Sequence, residues 1–345
     1  MKPPRFRAVI LAAGLGTRLR PLTLAVPKPL LPVAGLPVLG HTLTSLRKAG
    51  CEGVGINLHY QGDKIVSRFG EDFDGMPIQY SREEEILGTL GALEPLADYL
   101  ADAEFVVVIN GDSLARWPLT KLLRHHQEHA PLATLLFSSR ARPDSFGGGV
   151  AISREGRVVS FQPSAEEGQG EHDKRRVFAG AHVFSPDLVD GLSPGPSDFV
   201  RELYQPAVQR GERIDGIESS GPWFDLGTPR RYLEGVLGWV GAGGLRRRGW
   251  WDHEAQVAGE SSVKRSVLEA GAQIEADARV RRSLVLSGAR IGQGSRVTDS
   301  IVGFAVELPA GTVIEGRLVT EARANVPPGP EASVVGGLVY SPLDR

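Results

Sequence analysis

The first 240 residues alternate between short apolar runs and longer amphipathic stretches. The apolar runs are bounded by glycine or polar residues, as buried strands are, and lie at 8–12, 54–58, 105–110 and 133–137. The amphipathic stretches have helical spacing and lie at 37–49, 61–69, 89–100 and 118–129. This alternation predicts an α/β domain with a mainly parallel sheet and helices on both faces. Later apolar runs predict antiparallel strands, which make the sheet mixed, at 148–152, 157–161 and 177–184.

A capped helix and a glycine-rich linker are predicted at the end of this domain. Thr228 followed by Pro229 is typical of an N-cap and a first helical position, and the helix is expected to reach residue 240. The sequence GAGGLRRRG, at 241–249, has the composition of a linker. We therefore predict a first domain at 1–240 and a linker at 241–256.

A 17-residue repeat follows the linker. Shifting the sequence by 17 positions aligns aliphatic residues in three columns: Val263, Val280, Val297 and Ile314; Leu268, Val285, Val302 and Val319; and Ile274, Ile291 and Leu308. The spacing within one repeat suits a three-sided coil in which each side contributes one inward aliphatic side chain. Because stacked coils bury what no single coil could bury, the repeat predicts a small parallel β-helix at 257–325, followed by a tail at 326–345.

Composition and charge narrow the functional classes. The 345 residues include 43 Gly and 24 Pro, and the formal net charge is −2. A nearly neutral chain lacks the overall field that holds nucleic acid or an anionic membrane surface. Cys51 is the only cysteine, which excludes an intramolecular disulfide, and no apolar run approaches the ~20 residues of a membrane span. We therefore expect a cytoplasmic protein.

The strongest chemical signal follows the first predicted strand. The sequence reads GLGTRLRPLT at 14–23 and PKP at 27–29. Gly14 and Gly16 would let backbone N–H groups approach an anion. Arg18 and Lys28 supply the guanidinium and ammonium groups that usually accompany polyphosphate. The spacing matches neither the GxGxxG dinucleotide fingerprint nor the P-loop, so we predict a different phosphate cradle; a glycine turn with surface cations is the alternative.

Two aspartates are candidate metal ligands. Asp112, in VVVINGDS, ends a fully apolar strand, and ligands of open α/β sheets gather at that edge. Asp225, in GPWFDLGTP, precedes the capped helix. Either residue alone could be a turn or N-cap residue. Together they predict two carboxylates that hold one Mg²⁺ between a nucleotide and an acceptor.

These motifs, in this order, resemble those of the sugar-1-phosphate nucleotidyltransferases. The resemblance covers residues 6–240 and includes GLGTRLRPLT with PKP, LGTLGAL at 87–93, NGD at 110–112 and WFDLGTP at 223–229. It implies a Rossmann-like fold, and the repeat agrees with it because a C-terminal left-handed β-helix is common in this family. Within the family the chain resembles mannose-1-phosphate guanylyltransferases, some of which carry a run like REEEILGTLGAL.

The resemblance implies a reaction and a role for each motif. The sugar 1-phosphate attacks the α-phosphorus of a nucleoside triphosphate in line, and pyrophosphate leaves without a covalent enzyme intermediate. Arg18 and the amides around Gly16 and Thr17 would hold the β- and γ-phosphates. Lys28 would neutralise charge at the α-phosphate or the sugar phosphate. The base and ribose would be framed by Leu11, Ala12, Ala13, Gly14, Gly88 and Thr89.

Glu83 lies where related enzymes place a base-reading Gln or Glu. A carboxylate accepts hydrogen bonds but cannot donate them. Guanine offers two adjacent donors on its Watson–Crick edge, whereas uracil offers one donor between two acceptors. This difference favours GTP, although Glu84 and Glu85 are neighbours and a solvated acidic loop is the alternative.

The implied sugar site departs from the family pattern. The residues that it implies are Gly149, Gln162, Ala179 and Gly180. Many members have Glu-Lys-Pro where this chain has Gln162 and Pro163, and Asn where it has Phe178. Lys174 or Arg175 could replace the missing lysine; a solvated loop is the alternative. These departures remove polar groups that would contact the sugar phosphate and the sugar, so they bear on which hexose the site accepts.

The sequence therefore predicts a Mg²⁺-dependent enzyme that forms a nucleotide sugar from GTP and mannose 1-phosphate. A UTP- or dTTP-dependent enzyme of the same family is one alternative, and a non-catalytic regulatory paralogue is another. The expected partners are a nucleoside triphosphate and a hexose 1-phosphate, with no nucleic acid and no membrane. We expect a homo-oligomer in which the β-helix contributes to assembly or stability and not to the chemistry.

Overall fold

The computed structural model describes residues 4–161, 174–245, 249–323, 329 and 331–343. The chain divides into two compact units, Met1–Leu15 with Leu39–Trp223 and Gly16–Val38 with Phe224–Arg345. The second unit therefore joins a short N-terminal segment to the C-terminal part of the chain.

The strands before the repeat region are short and mostly apolar. In chain order they are β1 (Phe6–Leu11), β2 (Pro32–Val33), β3 (Leu36–Pro37), β4 (Val54–Leu58), β5 (Asp72–Phe73), β6 (Met76–Arg82), β7 (Phe105–Asn110), β8 (Ser113–Ala115), β9 (Ala133–Ser138), β10 (Val150–Ile152), β11 (Val158–Ser160), β12 (Lys174–Phe184), β13 (Ile214–Ser219) and β14 (Trp223–Asp225). The α-helices are α1 (Leu22–Ala25), α2 (Val38–Lys48), α3 (Gly62–Phe69), α4 (Gly88–Gly91), α5 (Ala97–Leu100), α6 (Leu119–His129), α7 (Gln205–Gln209) and α8 (Pro229–Val240).

The sheet of the first unit is mixed, with a parallel centre. Its order is β11-β10-β12-β7-β1-β4-β6-β5, and β9 and β13 extend it from β12. β1 pairs in parallel with β4 and β7, whereas β12 runs antiparallel to β7, β9 and β10. The central strands are buried along nearly their whole length, which explains their continuous apolar sequences. The predicted Rossmann-like mixed α/β fold is confirmed.

The helix predicted at 89–100 is wrong. The structure has α4, a single 3₁₀ turn at Glu94–Leu96 and α5 in its place. A Cβ at Gly91 would lie 2.3 Å from the carbonyl oxygen of Gly195, so this part of the chain packs closely against another loop. Pro95 lacks the amide that a continuous helix needs. The apolar spacing was helical, but tertiary contacts divide the segment.

The repeat region folds into short strands that follow the 17-residue period. They are β15 (Gly249–Trp251), β16 (Gln256–Val257), β17 (Ser262–Lys264), β18 (Ser266–Leu268), β19 (Gln273–Ile274), β20 (Arg279–Arg281), β21 (Leu284–Val285), β22 (Arg290–Ile291), β23 (Arg296–Thr298), β24 (Ile301–Val302), β25 (Glu307–Leu308), β26 (Val313–Glu315), β27 (Arg317–Glu321), β28 (Ser333–Val335) and β29 (Leu338–Pro342).

These strands stack into three parallel sheets. Their orders are β15-β18-β21-β24-β27, β16-β19-β22-β25 and β17-β20-β23-β26, and β28 and β29 extend the first of them. Each predicted aliphatic column is a row of register partners, for example Val263 with Val280 and Val280 with Val297. The columns pack into one apolar core inside the coils. The predicted left-handed β-helix is confirmed.

The stack extends beyond the region predicted for it. β15 pairs with β18 inside the stretch predicted as a linker, and β29 pairs antiparallel with β27 inside the stretch predicted as a tail. Leu338, at the start of β29, packs into the apolar core. Terminal segments of repeat proteins commonly cover the last coil in this way. Within the described ranges, no helix is both long and apolar enough to cross a membrane.

Candidate functional site

The candidate site of the first unit lies at the carboxyl ends of β1 and β7. Because these strands are parallel neighbours, the residues that follow them emerge at the same edge of the sheet. The amide of Gly111 donates to the carbonyl oxygen of Leu11 at 2.9 Å. Asp112 therefore follows directly beside the start of the loop that runs through Ala12 and Ala13. The segment that leads from β1 to Gly14 and the first predicted metal ligand are therefore adjacent in this unit.

A buried hydrogen-bond network fixes the start of that loop. The amide of Ala12 donates to Oδ1 of Asn57 at 2.7 Å, and Nδ2 of Asn57 donates to Oε1 of Glu83 at 2.7 Å. Oε2 of Glu83 accepts the amide of Leu87 at 3.0 Å. Glu83 is 7% exposed, whereas Glu84 and Glu85 are exposed. The structure therefore separates Glu83 from the solvated acidic loop next to it.

Gly88 and Thr89 lie against a second loop. A Cβ at Gly88, whose φ is +77°, would lie 2.4 Å from the carbonyl oxygen of Ser197, so glycine is required there. The hydroxyl of Thr89 donates to Oδ2 of Asp198 at 2.9 Å and accepts the amide of Phe199 at 3.0 Å. These contacts hold the segment after Glu83 in one conformation.

Most of the implied sugar residues lie on or beside β12. Ala179 accepts the indole N–H of Trp223 at 2.7 Å through its carbonyl oxygen. Gly180 has a φ of +78°, and a Cβ there would lie 2.7 Å from the side-chain nitrogen of Asn110. The bulged strand thus approaches the end of β7, which carries Asn110 and leads to Asp112. Gln162 lies outside the described residues.

Arg175 does not extend into solvent. Its Nε donates to the carbonyl oxygen of Gly148 at 2.6 Å, and its Nη2 donates to that of Gly149 at 3.0 Å. Gly149 is thereby fixed against β12. Lys174, in contrast, is exposed. Arg175 thus anchors a glycine-rich loop, a role that the sequence did not indicate.

Phe178, which precedes Ala179 and Gly180 on β12, belongs to an aromatic cluster. It packs edge-on against Phe137 and His182. His182 is hydrogen-bonded through Nδ1 to the hydroxyl of Tyr204, and burial lowers the pKa of His182 to about 3. Burial also raises the pKa of Tyr204 well above its ordinary value. Both groups are therefore neutral at pH 7 and stabilise the apolar cluster.

In the second unit, Gly16 brings the rest of the predicted phosphate loop, residues 16–23, close to Lys28. Gly16 has a φ of +62°, and a Cβ there would lie 2.9 Å from Cγ2 of Thr23 and 3.4 Å from Cβ of Lys28. The hydroxyl of Thr23 donates to the carbonyl oxygen of Gly16 at 2.8 Å. Thr17 begins a single 3₁₀ turn, and its side chain and that of Arg18 are exposed. Lys28 is 9% exposed.

Arg18 and Asp225 meet at Gly227. A Cβ at Gly227 would lie 2.8 Å from Oδ1 of Asp225 and 3.3 Å from Nη2 of Arg18. Oδ2 of Asp225 accepts a hydrogen bond from Nη1 of Arg231 at 2.6 Å. Thr228 accepts the amide of Arg231, which confirms the predicted N-cap of α8. The cap and the ion pair together fix the Asp225 carboxylate at the start of this helix.

Sequence reasoning missed the residues that support the site. Asn57 lies one residue before the end of a predicted strand and belongs to no motif. Trp223 lies within a recognised motif and Arg231 just after it, but neither had an assigned role. Their positions become informative only when the hydrogen bonds are known. Over the ranges that the structure describes, no group of three or more His, Cys, Asp or Glu side chains could hold a metal ion.

Comparison with known proteins gives two matches along the chain. Residues 7–238 match the Nucleotidyl transferase family, and residues 253–324 match the family described as GlmU-like, C-terminal hexapeptide. The chain is 36% identical over 231 residues to a mannose-1-phosphate guanylyltransferase from Mycobacterium tuberculosis, which covers 66% of this chain and 63% of that protein. It is 30% identical over 233 residues to the mannose-1-phosphate guanylyltransferase catalytic subunit beta of Dictyostelium discoideum, which covers 67% and 63%.

The matched regions span less than two thirds of the length of these curated relatives. Among solved structures, the chain is similar to that of HddC from Yersinia pseudotuberculosis complexed with GMP-PN, with a TM-score of 0.56 and 22% identity. That similarity covers 68% of this chain and 99% of HddC, and it shows a shared fold. Because the family match covers 7–238 and includes every motif described above, the chain belongs to the Nucleotidyl transferase family.

Proposed function

We propose that the protein transfers GMP from GTP to mannose 1-phosphate, releasing pyrophosphate and forming GDP-mannose. The observation that carries this proposal is the buried Glu83 carboxylate, which Asn57 connects to the amide of Ala12 at the start of the phosphate loop. The network links a group that can read a base to a loop that can hold phosphates. The names of the relatives support both the nucleotide and the sugar.

The choice of guanine rests on the acceptors that Glu83 presents. An ionised carboxylate has about four acceptor positions on its two oxygens. Asn57 uses one position on Oε1 and the amide of Leu87 uses one on Oε2. A second position on each oxygen could accept N1–H and the 2-amino group of guanine. Uracil and thymine would place a carbonyl oxygen against the same carboxylate, which disfavours the UTP- and dTTP-dependent alternatives.

Arg18, in the phosphate loop, and Lys28, which follows it, would hold the phosphates together with backbone amides. Gly16 and Thr17 offer backbone amides at the start of a 3₁₀ turn, and Arg18 adds a guanidinium fork that suits phosphate oxygens. Lys28, which is held close to Gly16, would neutralise the charge that develops on the reacting phosphate. In-line transfer needs no nucleophile from the protein, so positioning and charge neutralisation supply the rate.

Asp112 and Asp225 are the proposed ligands of a divalent cation, Mg²⁺. Carboxylate oxygens suit this ion, which is usually held by one or two carboxylates together with substrate phosphates. Arg231 holds Oδ2 of Asp225, while Oδ1 faces Gly227. Asp112 follows β7 at the sheet edge where ligands gather. When bound, the ion would neutralise charge on the reacting phosphates.

The sugar 1-phosphate is proposed to lie along the bulged part of β12. Ala179 and Gly180 present backbone there, and Trp223 closes one side through its hydrogen bond to Ala179. Gly149, held by Arg175, would face the same region. Gln162 remains a proposed contact. Phe178 is packed into the aromatic cluster and supplies no polar contact, so sugar recognition would depend on backbone groups and Gln162.

Location and assembly follow as further parts of the proposal. We propose that the enzyme is cytoplasmic, because the free, buried thiol of Cys51 suits a reducing compartment. We propose a homo-oligomer that forms through the β-helix, because Val313, Val334 and Val335 expose apolar side chains on it. Light scattering of the full chain should give a mass above the 37.0 kDa of one chain, and a monomer would contradict this part.

The proposed reaction is tested by pyrophosphate release from four nucleoside triphosphates, each combined with several hexose 1-phosphates. GTP with mannose 1-phosphate should be the best pair, and a preference for UTP or dTTP would overturn the choice of base. Gly14→Ala tests the phosphate loop, because Gly14 has no positive φ and no heavy atom within 4 Å of an added Cβ. The variant should remain stable but bind GTP at least tenfold more weakly, since the methyl group would occupy ligand space. Gly259→Ala, also in open space, is the control.

A further inference from the structure

A buried carboxylate connects the β-helix to the segment that carries Lys28. Glu269 follows β18 in the strand stack and is 2% exposed. Its Oε1 accepts the amide of Ala34 and its Oε2 accepts the amide of Gly35, both at 2.9 Å. The three residues belong to the second unit. The contact therefore joins positions 234 and 235 residues apart in the sequence.

The turn that Glu269 binds is a tight hairpin between β2 and β3. Ala34 and Gly35 both have positive φ values, 51° and 82°, as in the two-residue turns that suit hairpins. Two successive amides in such a turn form a concave group of donors that fits a carboxylate. Gly35 also packs closely on Trp250 of β15, since a Cβ there would lie 2.9 Å from the indole ring. The β-helix thus supplies both an acceptor and an apolar surface for this turn.

Other contacts join the same segment to the C-terminal part of the second unit. The hydroxyl of Tyr232, in α8, donates to the carbonyl oxygen of Pro32 at 2.6 Å. Nη1 of Arg323, which follows β27, donates to the carbonyl oxygen of Leu24 at 3.0 Å. Glu269 is distinct among these anchors because it is a buried carboxyl group that binds through both oxygens.

Two backbone hydrogen bonds connect the hairpin to Lys28, which lies beside the phosphate loop. The amide of Val38, after β3, donates to the carbonyl oxygen of Leu31 at 3.1 Å, and the amide of Leu31 donates to that of Lys28 at 3.1 Å. Lys28 in turn packs beside Gly16, which Thr23 holds through its hydroxyl. A displacement of the hairpin would therefore move Lys28 and the phosphate loop.

We propose that Glu269 is a positioning residue, which holds the hairpin so that Lys28 and the loop after Gly16 are set for phosphoryl transfer. The inference rests on the proposed function. It assigns the β-helix a part in the chemistry, whereas the sequence indicated only assembly or stability. Glu269 contacts no substrate; it acts through the turn that it binds.

The chemistry of the site suits this role. Burial raises the pKa of Glu269 to about 7; the amides of Gly35 and Ala34 oppose this shift, and Asp252 adds to it. A buried carboxylate is costly unless its oxygens are hydrogen-bonded. The two carboxylate oxygens of Glu269 accept hydrogen bonds from two neighbouring backbone amides. A Gln side chain could not accept both, because one of its two terminal groups is an NH2 donor. Glu269→Gln therefore changes the grip on the turn without changing the volume of the side chain.

The test uses the full-length protein with Glu269→Gln, Glu269→Ala and the control Glu275→Ala. Glu275 also lies in the strand stack and accepts a backbone amide, that of Gln293 at 2.8 Å, and it pairs with Arg290. We expect both Glu269 variants to lower kcat about 10- to 100-fold, because small displacements of catalytic groups cost rate. KM for the sugar 1-phosphate should change less than threefold, and the control should keep kcat.

Hydrogen exchange supplies a readout that needs no turnover. The amides of Ala34 and Gly35 should exchange faster in both Glu269 variants, and thermal unfolding midpoints should stay within a few degrees of the control. If kcat falls no further than in Glu275→Ala, or if the exchange of these amides is unchanged, the positioning role is wrong. If the unaltered protein turns over no nucleoside triphosphate with any hexose 1-phosphate, the proposed function fails instead, and the exchange result still stands.

Discussion

Gly227→Ala tests the arrangement of Arg18 and Asp225 with the smallest possible change. The added Cβ would lie 2.8 Å from Oδ1 of Asp225 and 3.3 Å from Nη2 of Arg18. Ordinary contact begins at 3.4 Å, so the carboxylate would have to shift by about 0.6 Å, the difference between 3.4 and 2.8 Å. Arg231 holds the other oxygen at 2.6 Å, which prevents the carboxylate from simply rotating away.

The expected result is a loss of activity without a loss of stability. A displacement of ~1 Å in a catalytic group costs ~10²-fold in rate, so kcat/KM for GTP and mannose 1-phosphate should fall about 10- to 100-fold. Gly227 does not have a positive φ, so Ala fits the backbone, and the free energy of unfolding in urea should change by less than about 1 kcal/mol. Gly259→Ala should behave as the unaltered protein. Wild-type kcat/KM in Gly227→Ala would show that the Asp225 carboxylate takes no part in turnover.

Three further predictions concern charge. Asp112→Asn and Asp225→Asn should each lower Mg²⁺-dependent turnover by ~10²-fold or more with near-normal thermal stability; full activity in either would remove that residue from the metal site. Glu83→Gln should lower kcat/KM for GTP about tenfold more than for UTP, and an unchanged ratio would remove the base contact. Burial lowers the pKa of His182 from 6.5 to about 3, so the unfolded chain alone gains this proton. The contribution of His182 to the free energy of unfolding should be fully present well above pH 6.5 and should be smaller by about 2 kcal/mol at pH 5. His182→Phe should make urea unfolding less dependent on pH, and an identical slope would contradict the assignment.

The fold was predictable wherever the burial pattern was local and repeated. The strands at 54–58 and 105–110 were predicted with their observed bounds, because a strand buried on both faces has a continuous apolar sequence. The three aliphatic columns of the β-helix were predicted because one coil determines the next. Serines also recur every 17 residues, at 266, 283 and 300, and the structure gives their role. The hydroxyl of Ser266 accepts the amide of Ser283 at 3.2 Å, and that of Ser283 accepts the amide of Ser300 at 3.1 Å.

The motif residues of the candidate site could be recognised in the sequence, whereas the residues that hold them in place by hydrogen bonds could not. Gly16, Arg18 and Asp225 were singled out because their residue types and spacing suit phosphates and metal. Asn57 and Glu269 were not, because a single Asn within a strand or a single Glu in a repeat has no local signature. Their roles come from hydrogen bonds to residues at least 26 positions away. Such contacts depend on the tertiary fold and cannot be read from local spacing.

The motif GLGTRLRPLT at 14–23 is divided between the two units, which explains why the sequence predicted only a structural role for the β-helix. Gly14 belongs to the first unit, whereas Gly16 and Lys28 belong to the second unit together with Glu269. A motif that is continuous in sequence therefore has its parts fixed by different sets of contacts. Lys28 takes its position from a hairpin bound by a residue of the repeat. Removing the repeat would leave every motif residue in the chain and still free the hairpin. Intact motifs in a shortened chain are therefore insufficient grounds for expecting activity.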